Sequence, residues 1–423
     1  MAKKRLSIAI AGSGVAGLTA AYILNREHNV TVFEKNDYPG GHTHTIVIDK
    51  GPDKGTPVDT GFIVMNHKNY PFFTKLLAQL GVKLRDSDMS FGYHCLENNL
   101  QYSSRGLSGL YAQRSNITNL TFQRMVFDLL KFYRHAKADL ETGAAANMTL
   151  GEYLKAKKFS DTFITHHILP MGAAIWSTPD NEMMEFPADS FFSFFSNHNL
   201  LSLTGQHVWR TVVGGSHSYV KVIRNILKKD IITGSAVKSV TRKKGAVKVK
   251  AGSRKEESFD VVIIAAHADE ALKMLADPTP DEKRLLGAWK YQKNRTILHT
   301  DGSLMPTNKN AMASWNFIRG RAQGKNSPLS LTYDMNRLQG LKTVDQYYVT
   351  LNSNKKIPRD KIIAEMDYYH PTFTFKSMNT QPELPKLNGI NGTYFCGSYF
   401  GYGFHEDAVR SGVEVAKILG CDL

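Results

Sequence analysis

The sequence predicts an α/β protein built on a parallel sheet, interrupted by a second, α+β unit. Three observations predict it. A glycine-rich turn sits between a short apolar run and a helix near residue 12. A second glycine-rich loop precedes a helix near residue 400. The middle of the chain has neither rhythm.

The elements follow in order. Ser7–Ala11 is an apolar run suited to a buried parallel strand. Gly12-Ser13-Gly14-Val15-Ala16-Gly17 comes next, then Leu18–Arg26 with helical composition and no breaker. Val30–Phe33 is β-branched and aromatic and ends on Glu34. Strand, glycine turn, helix, strand and acid in that order make a dinucleotide site. Gly12 permits the tight turn, Gly14 lets backbone N–H groups approach a pyrophosphate, and Gly17 lets helix pack on sheet. The helix N-terminus offers its positive dipole end to the phosphates. Glu34 stands where a carboxylate accepts hydrogen bonds from ribose hydroxyls. Lys3, Lys4 and Arg5 ahead of an apolar run also suit a secretory leader. Three glycines and Ser13 break that run, which argues against one.

The 423 residues can hold two or three domains. No apolar run reaches the roughly 18 residues of a spanning helix, so none is expected. Cys95, Cys396 and Cys421 are far apart and odd in number. They suggest neither a disulfide framework nor a metal site, and they suit a reducing cytoplasm. The formal net charge of +15 would attract nucleic acid, anionic lipid or an acidic substrate. No nucleic-acid-binding motif accompanies it, so nucleic acid is not expected as a partner.

Beyond Glu34 and Lys35, Pro39-Gly40-Gly41-His42-Thr43 is either a plain turn or a second close approach of backbone to a bulky ligand. Beside the first motif it favours a flavin dinucleotide over a nicotinamide one. Val58–Asn66 reads as a strand opening on a tight turn that includes Gly61, Phe62 and Ile63, and Asn69–Leu80 as a helix closed by Gly81.

Phe122, Met125, Val126, Leu129, Leu130 and Tyr133 recur at helical spacing, with Gln123, Arg124, Asp128, Lys131 and Arg134 opposite. The 105–137 region is basic. It fits an amphipathic helix lying on anionic lipid, or an ordinary helix with solvated charges. Thr149 precedes a helix over Gly151–Phe159. His166 and His167 would point to different sides of a helix, which argues against a metal pair. The phenylalanine-rich Pro187–Leu203 fits an apolar channel or plain core. Val212–Lys228 is a glycine turn entering a helix. Ile231–Ser235, Val237–Thr241, Ala246–Lys250, Phe259–Ala265, Trp289–His299, Leu329–Asp334 and Tyr347–Leu351 read as strands. Near the end, a strand enters Gly397-Ser398-Tyr399-Phe400-Gly401-Tyr402-Gly403 and then a helix, so N–H groups and a dipole again point outward.

GSGVAGLTAAYIL, FEK, PGGHTHT and DTGFIV resemble the opening of the flavin-containing amine oxidase and phytoene desaturase superfamily, and Gly392–Gly412 resembles its close. The resemblance implies a discontinuous Rossmann-type FAD-binding domain over 1–70, 206–275 and 386–423. It implies an inserted α+β substrate domain over 71–205 and 276–385. It implies further that the Val237 backbone reads the adenine and that Ala265 and Ala266 pass the dinucleotide. The loop of Gly397, Ser398 and Gly403 would sit on the ribityl chain. The start of the helix, Phe404-His405-Glu406-Asp407-Ala408, would face the pyrimidine edge of the flavin and stabilise negative charge there. His42 stands where many relatives carry Arg, and Ser398 where many carry Asp or Glu. Cys396 beside the loop is a candidate for covalent flavin attachment.

PGGHTHT, VVGGSHSYV, WKYQKN, TYDMNRLQ and CGSYFGYGFHEDAVRSG resemble, more narrowly, a bacterial group of FAD-dependent oxidoreductases associated with cyclopropane-fatty-acid-synthase-like methyltransferases. Some members of that group introduce a second double bond into unsaturated acyl chains of membrane phospholipids, toward furan fatty acids. The resemblance implies an FAD-dependent fatty acyl desaturase, cytoplasmic and peripheral to the inner face of the membrane. His405 and Glu406 are candidates for proton acceptor or orienting group, or else they cap the helix. An acyl double-bond isomerase would use the same parts. A flavin amine oxidase, with Lys290 as flavin-site lysine, is the alternative from another substrate class, and a flavin-bearing binder without activity is the third.

Overall fold

A computed structural model describes residues 4–243, 245–320, 330–353 and 355–423. Its parallel sheet runs in the order Ile231–Ile232, Asn29–Phe33, Ser7–Ala11, Val261–Ile264, Thr393–Phe395. Every neighbouring pair is parallel. Ile8, Ala9, Ile10, Val262, Ile263 and Ile264 are fully buried, as strands covered on both faces must be. One face carries the Val15–Leu24 helix, of which nine residues are buried. The His405–Ile418 helix packs on it so closely that a Cβ on Gly412 would lie 2.5 Å from the Ala16 carbonyl oxygen. The mixed α/β class and the dinucleotide-binding order read from the sequence are what the chain adopts. The sheet draws strands from three separated stretches of chain.

A second, seven-stranded sheet has the order Ile362–Thr372, Lys290–His299, Tyr348–Leu351, Ser330–Asp334, Trp315–Arg319, Phe91–Cys95, Gln101–Ser103. All its pairs are antiparallel except Trp315–Arg319 with Phe91–Cys95. Helices between residues 106 and 197 pack over it, the longest being Leu120–Thr142. Asn119 caps that helix by accepting from the Thr121 and Phe122 N–H groups, and Gly143 ends it at φ +72°.

Several expectations need correction. The basic 105–137 region is not one helix: Gly106–Leu110 and a 3₁₀ turn at Arg114–Ile117 precede Leu120–Thr142. Asp128, placed on the solvated face, is fully buried. It accepts from the Ser160 N–H at 3.0 Å and from Arg124 at 3.2 Å. Leu130, placed on the core face, is 46% exposed. Val58–Asn66 divides into Pro57–Asp59 and Val64–Met65 around the turn. Phe259–Ala265 breaks at Asp260, whose carboxylate accepts from the Ser7 N–H at 2.7 Å. Thr149 caps Leu150–Ala156 in a capping box with Glu152. Lys3 and Leu329 lie outside the described residues.

Candidate active site

A cavity of about 1690 Å³ runs from the carboxyl edge of the parallel sheet into the helical layer over the second sheet. That exceeds what one drug-sized ligand fills, leaving room for a dinucleotide and a second molecule. At the sheet end, three glycines do three jobs. Gly12 has φ +107°, and a Cβ there would lie 2.4 Å from the Ala265 carbonyl oxygen. A Cβ on Gly17 would lie 2.1 Å from the Gly12 oxygen, so helix and turn touch backbone to backbone. Gly14, the N-cap of the first helix, has nothing within 4 Å of its Cβ position and faces the cavity. A side chain there would occupy the space a pyrophosphate needs beside the helix N-terminus.

Gly40 donates its N–H to the Ser13 carbonyl at 3.0 Å, and a Cβ on Gly41 would lie 3.2 Å from the Gly14 Cα. The second glycine pair therefore closes over the first turn. Glu34 is buried at the end of the Asn29–Phe33 strand. It accepts from the Ser13 N–H at 2.9 Å, the Ser13 hydroxyl at 2.6 Å and the Asn36 N–H at 2.8 Å. These donors fix the carboxylate at the cavity wall. The residues present fit a dinucleotide.

Most residues singled out for the cofactor share this cavity. Gly12, Gly14, Val15, Ala16, Glu34, Lys35, Gly40, Gly41, His42 and Thr43 line it, as do Gly61, Phe62 and Ile63. Val237, Ala265 and Ala266 join them from the middle of the chain, and Gly397, Ser398, Gly403, Phe404, His405 and Ala408 from its later part. Ser13, Gly17, Glu406 and Asp407 do not line it and act behind the wall. Asp407 accepts from the Phe404 N–H at 3.1 Å and pairs with Arg410 at 2.9 Å. Glu406 accepts from the Phe72 and Phe73 N–H groups, each at 2.9 Å, and so caps the Pro71–Gln79 helix. Burial pushes its carboxyl up to about 7. This position suits a capping group and not a group touching substrate. His405 does face the cavity. Its ring stacks on Phe62 at 3.8 Å, its Nε2 lies 3.1 Å from the Tyr219 hydroxyl, and burial holds it down at about 3, a neutral imidazole. Cys396 is fully buried and does not line the cavity, and its thiol is pushed up to about 12 by burial. Lys290 is exposed and away from the cavity, so it does not serve as a flavin-site lysine.

Sequence reasoning missed the wall contributed by the Ile362–Thr372 strand. Tyr368 and His370 from that strand meet His42, with ring centroids 5.0 and 5.6 Å away. His267, which follows the Val261–Ile264 strand, lies 6.1 Å from His42 and stacks on Tyr291 at 4.3 Å. The buried Asn294 amide lies 3.4 Å from His370 Nδ1.

Away from the sheet the cavity becomes an apolar arm. The phenylalanine-rich stretch divides between both expected roles: Phe191 and Phe192 are core, whereas Phe194 and Phe195 line the cavity. Phe194 stacks on Phe404 at 4.7 Å and sits 4.8 Å from Trp176. Met125, Leu129, Ile168, Met171 and Ile175 continue the wall. His166 and His167 lie on a π-helical turn, Ile164–Ile168, which sends His166 to the Tyr93 hydroxyl at 2.7 Å and His167 to that of Tyr102 at 3.0 Å. No group of side chains among the described residues could hold a metal ion. The cavity lining includes three carboxylates, Glu34, Glu270 and Asp367, and no arginine. Glu270 pairs with Lys35 and Asp367 with Lys293, each at 2.8 Å. None of the three belongs to the apolar arm. Leu107, Leu130, Leu203 and Val208 line the cavity and are 76%, 46%, 68% and 60% exposed, so its mouth is rimmed by unpartnered apolar side chains.

Comparison with known proteins bears on this arrangement. The family model described as flavin containing amine oxidoreductase matches residues 15–419. Among solved structures, a putrescine oxidase bound to putrescine superposes with a TM-score of 0.71 at 15% identity, covering 98% of this chain and 99% of that one. A CLA-producing fatty acid isomerase from P. acnes superposes at 0.66 with 15% identity and 99% of each chain. Cyclohexylamine oxidase from Brevibacterium oxydans IH-35A superposes at 0.67 with 15% identity, covering 98% and 99%. No curated protein sequence matched.

Proposed function

Because this chain belongs to the flavin containing amine oxidoreductase family and is an FAD-dependent oxidoreductase, we propose that its substrate is a monounsaturated fatty acyl chain of a membrane phospholipid, which it desaturates. The observation that carries this reading is the apolar arm, lined by Phe194, Trp176, Met171 and Leu129 and free of carboxylates. An amine is a cation in water and loses its hydration on entering such a site without a counter-ion. A long alkyl chain loses nothing and contributes about 25 cal/mol for each Å² it buries.

FAD, when bound, would accept a hydride from the acyl chain, and the proton lost from the neighbouring carbon would pass to a base in the cavity wall, for which the neutral His405 imidazole is the candidate. The residues of this chain do the rest. Phe194, Phe404 and Trp176 hold the chain in line and exclude water. The N-terminus of the His405–Ile418 helix places its positive dipole end at the cavity wall, where it would stabilise negative charge on a reduced flavin. Glu34 and the Gly12–Gly17 turn would hold the nucleotide half of the cofactor, away from the arm.

The mouth supports the membrane part of the reading. Leu107, Leu130, Leu203 and Val208 surround the opening, and Arg105, Arg124 and Arg134 are exposed in the same region. Apolar side chains among arginines suit the boundary between anionic headgroups and acyl tails. No helix among the described residues is long and apolar enough to cross a membrane. The headgroup would stay at the surface while one acyl chain passes inward.

Anaerobic incubation of the yellow holoprotein with vesicles of monounsaturated phospholipid tests this reading. Bleaching of the flavin together with a second double bond in the extracted lipid is the expected result. A shifted double bond without net bleaching makes the protein an isomerase, the activity carried by one of its structural neighbours. Bleaching by putrescine or cyclohexylamine, and not by lipid, makes it an amine oxidase.

A further inference from the structure

We propose that His42, His267 and His370 form an anion site that takes up a proton when the cofactor's pyrophosphate enters, so that FAD affinity falls as pH rises. The inference rests on the FAD assignment alone and is independent of the substrate.

Placement comes first. His42 follows Gly41, which abuts Gly14 at the first helix N-terminus. His267 follows Ala266, beyond the strand paired with Ser7–Ala11. His370 reaches the same wall from the edge of the other sheet. The three rings thus converge on the carboxyl edge of the parallel sheet, where a dinucleotide's phosphates lie. His42 Nε2 is buried without a hydrogen-bond partner among the described residues, so it is a nitrogen waiting for a ligand.

A pyrophosphate held by helix N–H groups still gains from a cationic side chain beside it, and no arginine lines the cavity. Lys35 is paired with Glu270 at 2.8 Å and Lys273 with Asp269 at 2.9 Å. Lys238 lies on the Val237–Lys243 strand with its side chain exposed. The imidazoles are what remains beside the first helix N-terminus. The groups facing them are Lys35, His405, Glu270, Asp269, Tyr291, Tyr368 and Tyr369. Burial holds all three histidines below the usual imidazole range, His370 at about 4; His267 also opposes charge on His370, and both oppose charge on His42. A buried anion reverses that balance and favours the imidazolium.

The sign follows from linkage. Binding raises the proton affinity of the cluster, so affinity is greatest below the free protein's value and is lost as pH rises through that of the complex. Between the two, each proton taken up weakens binding about tenfold per pH unit.

Titration of the apoprotein with FAD, followed by flavin fluorescence between about pH 6 and 8.5, reads this directly. Calorimetry in two buffers of different ionisation enthalpy counts the protons. Proton uptake on binding and a dissociation constant that rises with pH, by up to about tenfold per unit, are expected. His42→Arg supplies a permanent charge and should bind FAD tightly with a flat pH profile and no proton uptake. His370→Gln, a second variant at a separate element, should weaken binding and flatten the slope. A pH-independent dissociation constant in the unaltered protein would overturn the proposal, as would an unchanged slope in either variant.

Discussion

Glu406 accepts the N–H of Phe73 at 2.9 Å across 333 residues of chain, joining the last helix to the Pro71–Gln79 helix. Its second oxygen takes the Phe72 N–H. Burial outweighs these two bonds and pushes the carboxyl up to about 7, so between its ordinary value of 4.5 and about 7 the folded chain binds a proton that the unfolded chain has released. Stability from this group is therefore full below about pH 4.5 and is lost as pH rises through about 7. Urea unfolding at a series of pH values should show the unaltered protein losing stability relative to Glu406→Gln as pH climbs from about 5 to 8. Flavin reduction by substrate should stay within about threefold in that variant, because the group caps a helix and touches no ligand. A loss beyond about a hundredfold would return Glu406 to the chemistry.

Gly14 and Gly17 should fail in opposite ways when replaced by alanine. A Cβ on Gly17 meets the Gly12 oxygen at 2.1 Å, and relieving that contact should cost about 1–3 kcal/mol of stability. A Cβ on Gly14 meets nothing within 4 Å. Gly14→Ala should fold to within about 1 kcal/mol of the parent yet bind FAD at least tenfold more weakly, because the methyl stands in the phosphate's place. Thermal melting of the apoproteins and FAD titration separate the two.

Glu34→Ala should leave the strand intact and weaken FAD by about ten- to a hundredfold, the value of hydrogen bonds to a charged acceptor. The buried Ser13 N–H and the Asn36 N–H would lose the acceptor they now share. Fluorescence titration of the variant apoprotein measures the loss, and an unchanged affinity would remove the residue from the ribose site.

Replacing Leu107 and Leu203 with serine should reduce binding to anionic vesicles by about tenfold or more, since each buries its side chain only when the mouth is covered. Vesicle flotation reads the change. FAD content should not move, because neither residue lies near the nucleotide half.

The nucleotide half was legible because its chemistry is local. Turn, helix and acid fall within one short stretch, and glycine at Gly12 and Gly17 is required by contacts the backbone makes with itself. The Ile362–Thr372 strand was not legible. It carries Pro371, which only an edge strand tolerates, and its charged residues mask the alternation of buried Tyr368 with exposed Tyr369. With that strand unread, neither Tyr368 nor His370 could be placed beside His42. The face of the Leu120–Thr142 helix was half legible. Spacing found Phe122 and Met125, but Asp128 turns inward because the Ser160 N–H, far along the chain, needs an acceptor.

The order of strands in the parallel sheet has a consequence for biosynthesis. Thr393–Phe395 pairs with Val262–Ile264, and the loop after it completes the wall begun at Gly12. A nascent chain leaving the ribosome therefore exposes the first turn long before its counterpart exists. The complete wall around the prosthetic group is assembled only after translation has passed the intervening segment, and until then the Val261–Ile264 strand has one edge unpaired.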